Sequence, residues 1–209
     1  YSFVKYPLGL GYLSGAVIKN TNWSVQTYNA DFNVRKKVFD PENDYIAGAG
    51  FKRYLSSLKD YSLPIWKEVK NAIEDYNPSV VGISAKTQNF VSASMVAKIA
   101  KEINPDIKVI VGGVHPTMNG SKVLNCKDID ILSISEGENT IVALLHALEK
   151  NTEINSVNGI VFKDGDKIIN RKPYGGLLSG RGLFVGWGER KKQTFTNSNA
   201  VKYGRTAYY

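Results

Sequence analysis

Residues 109–117, Val-Ile-Val-Gly-Gly-Val-His-Pro-Thr, constrain the fold more than any other stretch of this chain. The first three are β-branched, which is typical of a strand covered on both faces. Gly112 and Gly113 then allow the backbone to come close to a neighbour, because neither has a side chain. His115-Pro116-Thr117 predicts a turn. Ligands of an open α/β sheet bind at the carboxyl ends of its strands, so we expect a binding site here.

Composition limits the class of protein. The chain has 209 residues, which predicts one domain or one domain with an appendage. No apolar run approaches the roughly 18 residues that span a membrane. Cys126 is the single cysteine, so the chain cannot build a disulfide framework or hold an iron–sulfur cluster alone. We expect a cytoplasmic protein and, because the chain opens on Tyr1, a fragment or processed product.

The net charge of +8 is distributed unevenly. Residues 175–209 contain six basic residues and one acidic residue, a net charge of +5, which leaves +3 for the other 174 residues. The core is therefore not predicted to bind nucleic acid. We expect domain boundaries at 1–174 for an α/β domain and 175–209 for a basic, irregular tail, through which nucleic-acid binding is a disfavoured alternative.

The order of periodic segments predicts the fold class. Helices are expected at 7–19, 63–76, 87–104 and 139–150, with short ones near 51–58 and 121–125. Strands are expected at 23–29, 79–84, 107–112 and 129–134, followed by a hairpin over 157–170 that turns at Asp164-Gly165. Strands alternating with helices indicate βαβ units, and so a doubly wound α/β domain with a parallel sheet.

Four strand ends would meet at one edge of that sheet. They bring Asp31 together with residues 84–87, 112–117 and 135–138. Glycines and short hydroxyl side chains suit phosphate, ribose or amide groups. No Gly-x-Gly-x-x-Gly follows a strand and no Walker-type Gly-Lys-Ser/Thr occurs, so a dinucleotide or nucleoside triphosphate is disfavoured.

Several motifs together resemble one family. Gly-Gly-Val-His-Pro-Thr at 112–117 is followed by Glu-Gly-Glu-Asn-Thr at 136–140. Pro-Leu-Gly-Leu-Gly-Tyr-Leu occurs at 7–13, Val-Val-Gly-Ile-Ser at 80–84 and Asn-Gly-Ile-Val-Phe at 158–162. In this order the motifs resemble the N-terminal cobalamin-binding domain of cobalamin-dependent radical S-adenosylmethionine enzymes, over residues 7–171.

The resemblance implies a flavodoxin-like (Rossmann-like) sheet with cobalamin at its carboxyl edge and the nucleotide tail beside the sheet. Ser84 and Thr87 would meet the tail, and Gly112 with Gly113 would pack against it. The residues from 136 to 138 would border the corrin or a partner domain. The full set of cofactor-binding residues implied in this way is Ser84, Thr87, Gly112, Gly113, Val114, His115, Pro116, Thr117, Glu136, Gly137 and Glu138; no catalytic or metal-ligating residue is assigned.

The chain also departs from the family. A following barrel domain, expected in cis, would bind an iron–sulfur cluster through Cys-x-x-x-Cys-x-x-Cys and cleave S-adenosylmethionine, and this chain lacks that motif. The family's first strand is expected before Tyr1 and is missing. Ser135 stands where the family usually has glycine. We therefore predict a cobalamin-binding module that catalyses nothing alone; the alternative is a flavodoxin-like interaction or regulatory domain without cofactor.

Two of these assignments have simpler alternatives. His115 could ligate cobalt, but Asp-x-His-x-x-Gly is absent, so a structural role at the strand end is favoured. Glu136 and Glu138 could border the ligand, but negative charge at a helix start gains about 0.3–1 kcal/mol from the helix dipole, so a capping role is favoured.

Overall fold

The computed structural model describes residues 8–28 and 60–173, where helices alternate with strands. Asp31, the helix expected near 51–58 and the tail 175–209 lie outside the described residues. The helices are α1 (Leu8–Asn20), α2 (Pro64–Tyr76), α3 (Phe90–Ile103), α4 (Val114–Asn119) and α5 (Gly137–Glu149). The strands are β1 (Val80–Ser84), β2 (Lys108–Gly112), β3 (Ile131–Ser133), β4 (Ile160–Asp164) and β5 (Lys167–Asn170). Short 3₁₀ turns cover Thr87–Asn89, Gly120–Asn125 and Ile154–Ser156.

The strands form one sheet in the order β1-β2-β3-β4-β5. β1, β2 and β3 are parallel, whereas β4 and β5 are antiparallel and form the C-terminal hairpin. Gly165 turns this hairpin at φ +58°, in the left-handed region where glycine meets no steric penalty. The hairpin predicted at Asp164-Gly165 is thus confirmed. No described strand pairs with the outer edge of β1.

Alternation along β2 divides the core into two layers. Val109 and Val111 pack with the alanines of α3 on one face. Ile110 points the other way and packs with Leu144 of α5. Because successive side chains of a strand point to opposite faces, helices cover both sides of the sheet. The predicted doubly wound α/β fold is confirmed.

Helix α2 completes the α3 layer. Trp66 and Val69 of α2 are buried against Ile99, and Val91, Met95 and Ile103 pack around them. These four α3 residues are the stripe spaced by four in the sequence, so the expected apolar face of α3 is confirmed.

A partly buried ion pair fixes the amino ends of β2 and β3. The Lys101 ammonium lies 2.8 Å from the Asp130 carboxylate and donates to the carbonyl of Ile107 at 2.7 Å. The same carboxylate accepts the Val109 N–H at 2.7 Å. This network holds the sheet at the end opposite the predicted site.

The strand expected over 23–29 is wrong for its described part, because residues 23–28 have no regular secondary structure. This segment bonds to α2 through side chains: the Tyr76 hydroxyl donates to Ser24 at 3.1 Å, and the Tyr28 hydroxyl donates to Glu68 at 2.9 Å. Burial, and then the Glu68 carboxylate, raise the pKa of Tyr28 well above its usual value. Alternating polarity here does not mark a strand: the contacts with α2 come from Ser24 and Tyr28, whereas Val25 on the other side of the segment is exposed.

The turn expected at His115-Pro116-Thr117 is also wrong, because these residues lie in helix α4. Pro116 is the third residue of this helix. The first four N–H groups of a helix have no intrahelical partner, so a proline there removes no hydrogen bond.

Candidate cofactor site at the carboxyl edge of the sheet

Ala85 joins the carboxyl ends of β1 and β2. Its N–H donates to the Gly112 carbonyl at 2.8 Å, and its own carbonyl accepts the His115 N–H at 3.0 Å. Ala85 is fully buried. The residues that follow the two strands are thereby fixed relative to each other by backbone atoms alone.

Gly113 lies against this junction. It has φ +102°, and a Cβ built on it would lie 2.8 Å from the Ala85 carbonyl oxygen. Both facts exclude a side chain, so the close approach predicted for the glycine pair is confirmed at Gly113, and the neighbour is the protein's own backbone. Contact of Gly113 with a cofactor stays a prediction.

His115 and Thr87 are brought together at this edge. His115 Nδ1 lies 3.2 Å from Thr87 Oγ1 and 3.3 Å from Asn119 Nδ2. The imidazole stacks on Phe90, with ring centroids 4.0 Å apart and 21° between the planes. Pro116, the next residue, is buried and supports α4. The sequence did not single out Phe90 or Asn119, because only the fold places them beside His115.

Thr117 links the loop after β2 to the loop after β3. Its hydroxyl donates to the Gly113 carbonyl at 2.8 Å and accepts the Ser135 N–H at 3.1 Å. Ser135 itself has φ +70°, in the left-handed region that favours glycine. Glycine, which the resemblance implies at this position, would adopt this conformation without strain.

Ser135→Gly is therefore expected to raise the free energy of unfolding by about 1 kcal/mol, since the relief of backbone strain exceeds the extra entropy of glycine in the unfolded chain. Urea denaturation measures the change. Ser135→Ala, the matched control, keeps the strain and should bring no gain. A loss of stability in the glycine variant would contradict this account of Ser135.

A row of small residues crosses the three parallel strands at their carboxyl ends. Ser84 is paired with Gly112 in the sheet, and a Cβ on Gly112 would lie 3.6 Å from the Ser133 Cβ. By strand alternation this row lies on the face that carries Ile110 and is covered by α5. Ser84 is exposed at the β1 end of this row, whereas Ser133 is 8% exposed and lies beside Gly137 of α5.

Gly82 extends the row into a groove. It lies two residues before Ser84 in β1, so it faces the same side, and it is exposed. A Cβ built on it would meet nothing within 4 Å in the described part of the chain. α1 packs against α5 on this face, where a Cβ on Gly137 would lie 3.0 Å from Leu13. We call the space beside Gly82 and Ser84 the β1 groove; the sequence analysis had not assigned Gly82 to the site.

The acidic residues 136–138 start helix α5. Glu136 is the residue before the first helical turn and makes no capping bond through its side chain, and Glu138 lies in that turn. Gly137 between them lies close to α1, where a Cβ would come within 3.0 Å of the end of the Leu13 side chain. Their position near a helix start is as predicted, whereas their contact with a ligand or partner domain stays a prediction.

Thr140 has a role that the sequence analysis missed. It is 1% exposed, and its hydroxyl lies 3.2 Å from the Asn158 carbonyl oxygen. The next residue, Gly159, has φ +79° and comes so close that a Cβ there would lie 2.5 Å from this hydroxyl. Two of the quoted motifs thus meet in space, which ties α5 to β4 beneath the site.

Helix α4 adds apolar surface to the same edge. Val114 is 59% exposed and Met118 is 77% exposed, and they lie four residues apart on one side of the helix. Within residues 8–28 and 60–173, no group of three or more His, Cys, Asp or Glu side chains is placed to hold a metal ion. None of the helices described there is long and apolar enough to cross a membrane.

The fold is that of a flavodoxin-like domain, with a candidate ligand site at the carboxyl edge of its parallel strands. Residues 2–145 match the B12 binding domain family. The chain belongs to this family, which confirms the resemblance seen in the motifs and the predicted cofactor, cobalamin.

Curated relatives are much longer than this chain, which spans about 20–30% of the three compared here. It is 35% identical over 109 residues (52% of the chain, 24% of the relative) to an uncharacterized methyltransferase of Pyrococcus horikoshii. It is 26% identical over 177 residues (83% and 30%) to cytidylyl-2-hydroxyethylphosphonate methyltransferase of Streptomyces wedmorensis. It is 34% identical over 110 residues (51% and 20%) to the anaerobic magnesium-protoporphyrin IX monomethyl ester cyclase of Rubrivivax gelatinosus.

A solved structure supports the fold. The radical S-adenosylmethionine methyltransferase TsrM of Kitasatospora setae superposes with a TM-score of 0.56 at 13% identity, covering 82% of this chain and 28% of that one. At this identity the likeness concerns the fold alone.

Proposed function

We propose that this chain is the cobalamin-binding module of a radical S-adenosylmethionine enzyme, and that the β1 groove receives the nucleotide tail of the cofactor. The observation that carries the proposal is the open space beside Gly82, which leads to the exposed hydroxyl of Ser84. A strand residue that has no side chain, and no atom of residues 8–28 or 60–173 within 4 Å of its built Cβ, leaves room for a flat group beside the described sheet.

The residues around the groove suit cobalamin. Its tail carries a phosphate, a ribose and an apolar base, and the groove offers the hydroxyl group of the exposed Ser84 beside apolar strand surface. The exposed side chains of Val114 and Met118 provide apolar surface for the corrin or for a partner domain. When bound, cobalamin supplies a cobalt centre that carries a methyl group; the residues of this chain bind and orient it.

The remaining chemistry belongs to a partner domain. Two relatives are named methyltransferases and a third is named a cyclase. The segment that matches this chain covers no more than 30% of the length of each of them. We propose that a barrel domain in cis holds the iron–sulfur cluster and S-adenosylmethionine and carries out methyl transfer or a related radical reaction. The module alone is proposed to catalyse nothing, and the single cysteine fits the reducing cytoplasm.

Titration of the full chain with hydroxocobalamin, followed by absorbance, tests the proposal. We expect a saturable spectral change with one cofactor per chain and corrinoid that remains with the protein through gel filtration. Absence of both would overturn cobalamin binding and leave the flavodoxin-like interaction domain as the function to test.

A further inference from the structure

Asn119 fixes which nitrogen of His115 carries the proton. Its side-chain Nδ2 donates to the His115 carbonyl oxygen at 2.9 Å. This bond sets the orientation of the amide, because the reverse orientation would place two oxygen acceptors against each other. The same Nδ2 lies 3.3 Å from His115 Nδ1. An amide nitrogen only donates, so Nδ1 of the neutral imidazole must accept and the proton resides on Nε2.

Two other contacts agree with this tautomer. Thr87 Oγ1 lies 3.2 Å from Nδ1, where its hydroxyl hydrogen can rotate to donate. The stack on Phe90 holds the plane of the ring. Nδ1 is thus engaged from two sides, and Nε2 is the ring nitrogen for which the described residues provide no hydrogen bond.

We propose that His115 recognises the cofactor as a hydrogen-bond donor, through Nε2–H to an oxygen acceptor of cobalamin, with Asn119 as the positioning residue that sets the tautomer. This inference rests on the proposed cobalamin site. Protonated Nε2 presents no lone pair to a metal, and Nδ1 is occupied, so this arrangement favours His115 as a donor rather than as a cobalt ligand. The acceptor is a phosphate oxygen of the tail or an amide oxygen of the corrin side chains.

Nitrogen-15 NMR of His115 in the full chain at pH 8 reads the tautomer of the neutral imidazole directly. We expect the proton on Nε2. Asn119→Asp replaces the donor by an acceptor and should move the proton to Nδ1. A proton on Nδ1 in the unmodified chain would overturn the inference.

Affinity tests the donor role. His115→Phe keeps a ring on Phe90 but removes the donor, and should weaken hydroxocobalamin binding about 10-fold. His115→Gln, which returns an N–H at similar reach, should recover most of that loss. Titration with cobinamide identifies the acceptor, because it lacks the tail: the penalty of His115→Phe disappears if the acceptor is the phosphate and persists if it is a corrin amide.

The two hypotheses can be contradicted separately. If the unmodified chain binds no cobalamin, both the proposed function and the donor role of His115 are wrong. If the unmodified chain binds cobalamin and His115→Phe binds it equally well, only the donor role of His115 is wrong.

Discussion

Gly113→Ala is expected to lower the free energy of unfolding by about 3 kcal/mol. The residue combines φ +102° with a built Cβ position only 2.8 Å from the Ala85 carbonyl oxygen. A backbone conformation of this kind costs an L-residue about 1–3 kcal/mol, and the clash with backbone atoms adds to it. Ala85 cannot retreat without breaking the bonds that join β1 to β2.

Urea denaturation of Gly113→Ala and Gly112→Ala separates the strain and clash at position 113 from the general effect of replacing a glycine by alanine. The new Cβ at position 112 would lie 3.6 Å from Ser133, an ordinary contact, so Gly112→Ala should change stability by less than about 1 kcal/mol. Equal stability of the two variants would show that the close approach at Gly113 is not rigid.

Gly82→Val is expected to weaken cobalamin binding about 100-fold while leaving the fold intact, a penalty of roughly 2.7 kcal/mol in binding. The added side chain enters the β1 groove, where no described atom lies within 4 Å of the new Cβ. Valine also suits a strand better than glycine by up to about 1 kcal/mol, so the unfolding midpoint should stay constant or rise.

Lys167→Val provides the matched control for this prediction. It places the same β-branched side chain on an exposed position of β5, at the other edge of the sheet. Hydroxocobalamin titration should give the affinity of the unmodified chain for this control. If Gly82→Val binds hydroxocobalamin with unchanged affinity while both variants are folded, the nucleotide tail of the cofactor does not lie in the β1 groove.

The sequence predicted the architecture well because the relevant signals are local. The β-branched run before Gly112, the four-residue spacing of apolar side chains in α3 and the Asp164-Gly165 turn each specify one element, and all three are found. The strand predicted at 23–29 is wrong because alternating polarity alone does not supply a strand partner, and in the described part Val25 is exposed. The segment is instead bonded to α2 through Tyr28 and Ser24.

The candidate site was predicted less completely, because its geometry depends on residues distant in sequence. Gly113 was singled out correctly as a close approach, but only the fold identifies Ala85 as its neighbour. Gly82 has the pattern of an ordinary glycine in an apolar strand, and only the fold shows that no described atom lies within 4 Å of a Cβ built on it. Thr140 was part of a quoted motif, yet its bond to Asn158 spans 18 residues.

The two bonds made by Ala85 use only backbone atoms, and this has a consequence for divergence among related proteins. A side chain at that position can change in size without deleting either bond, provided that the small buried space accommodates it. The geometry of these strand ends is therefore maintained by backbone hydrogen bonds, which do not depend on the identity of the side chains. This is one physical reason why a domain can retain a TM-score of 0.56 to TsrM at 13% identity.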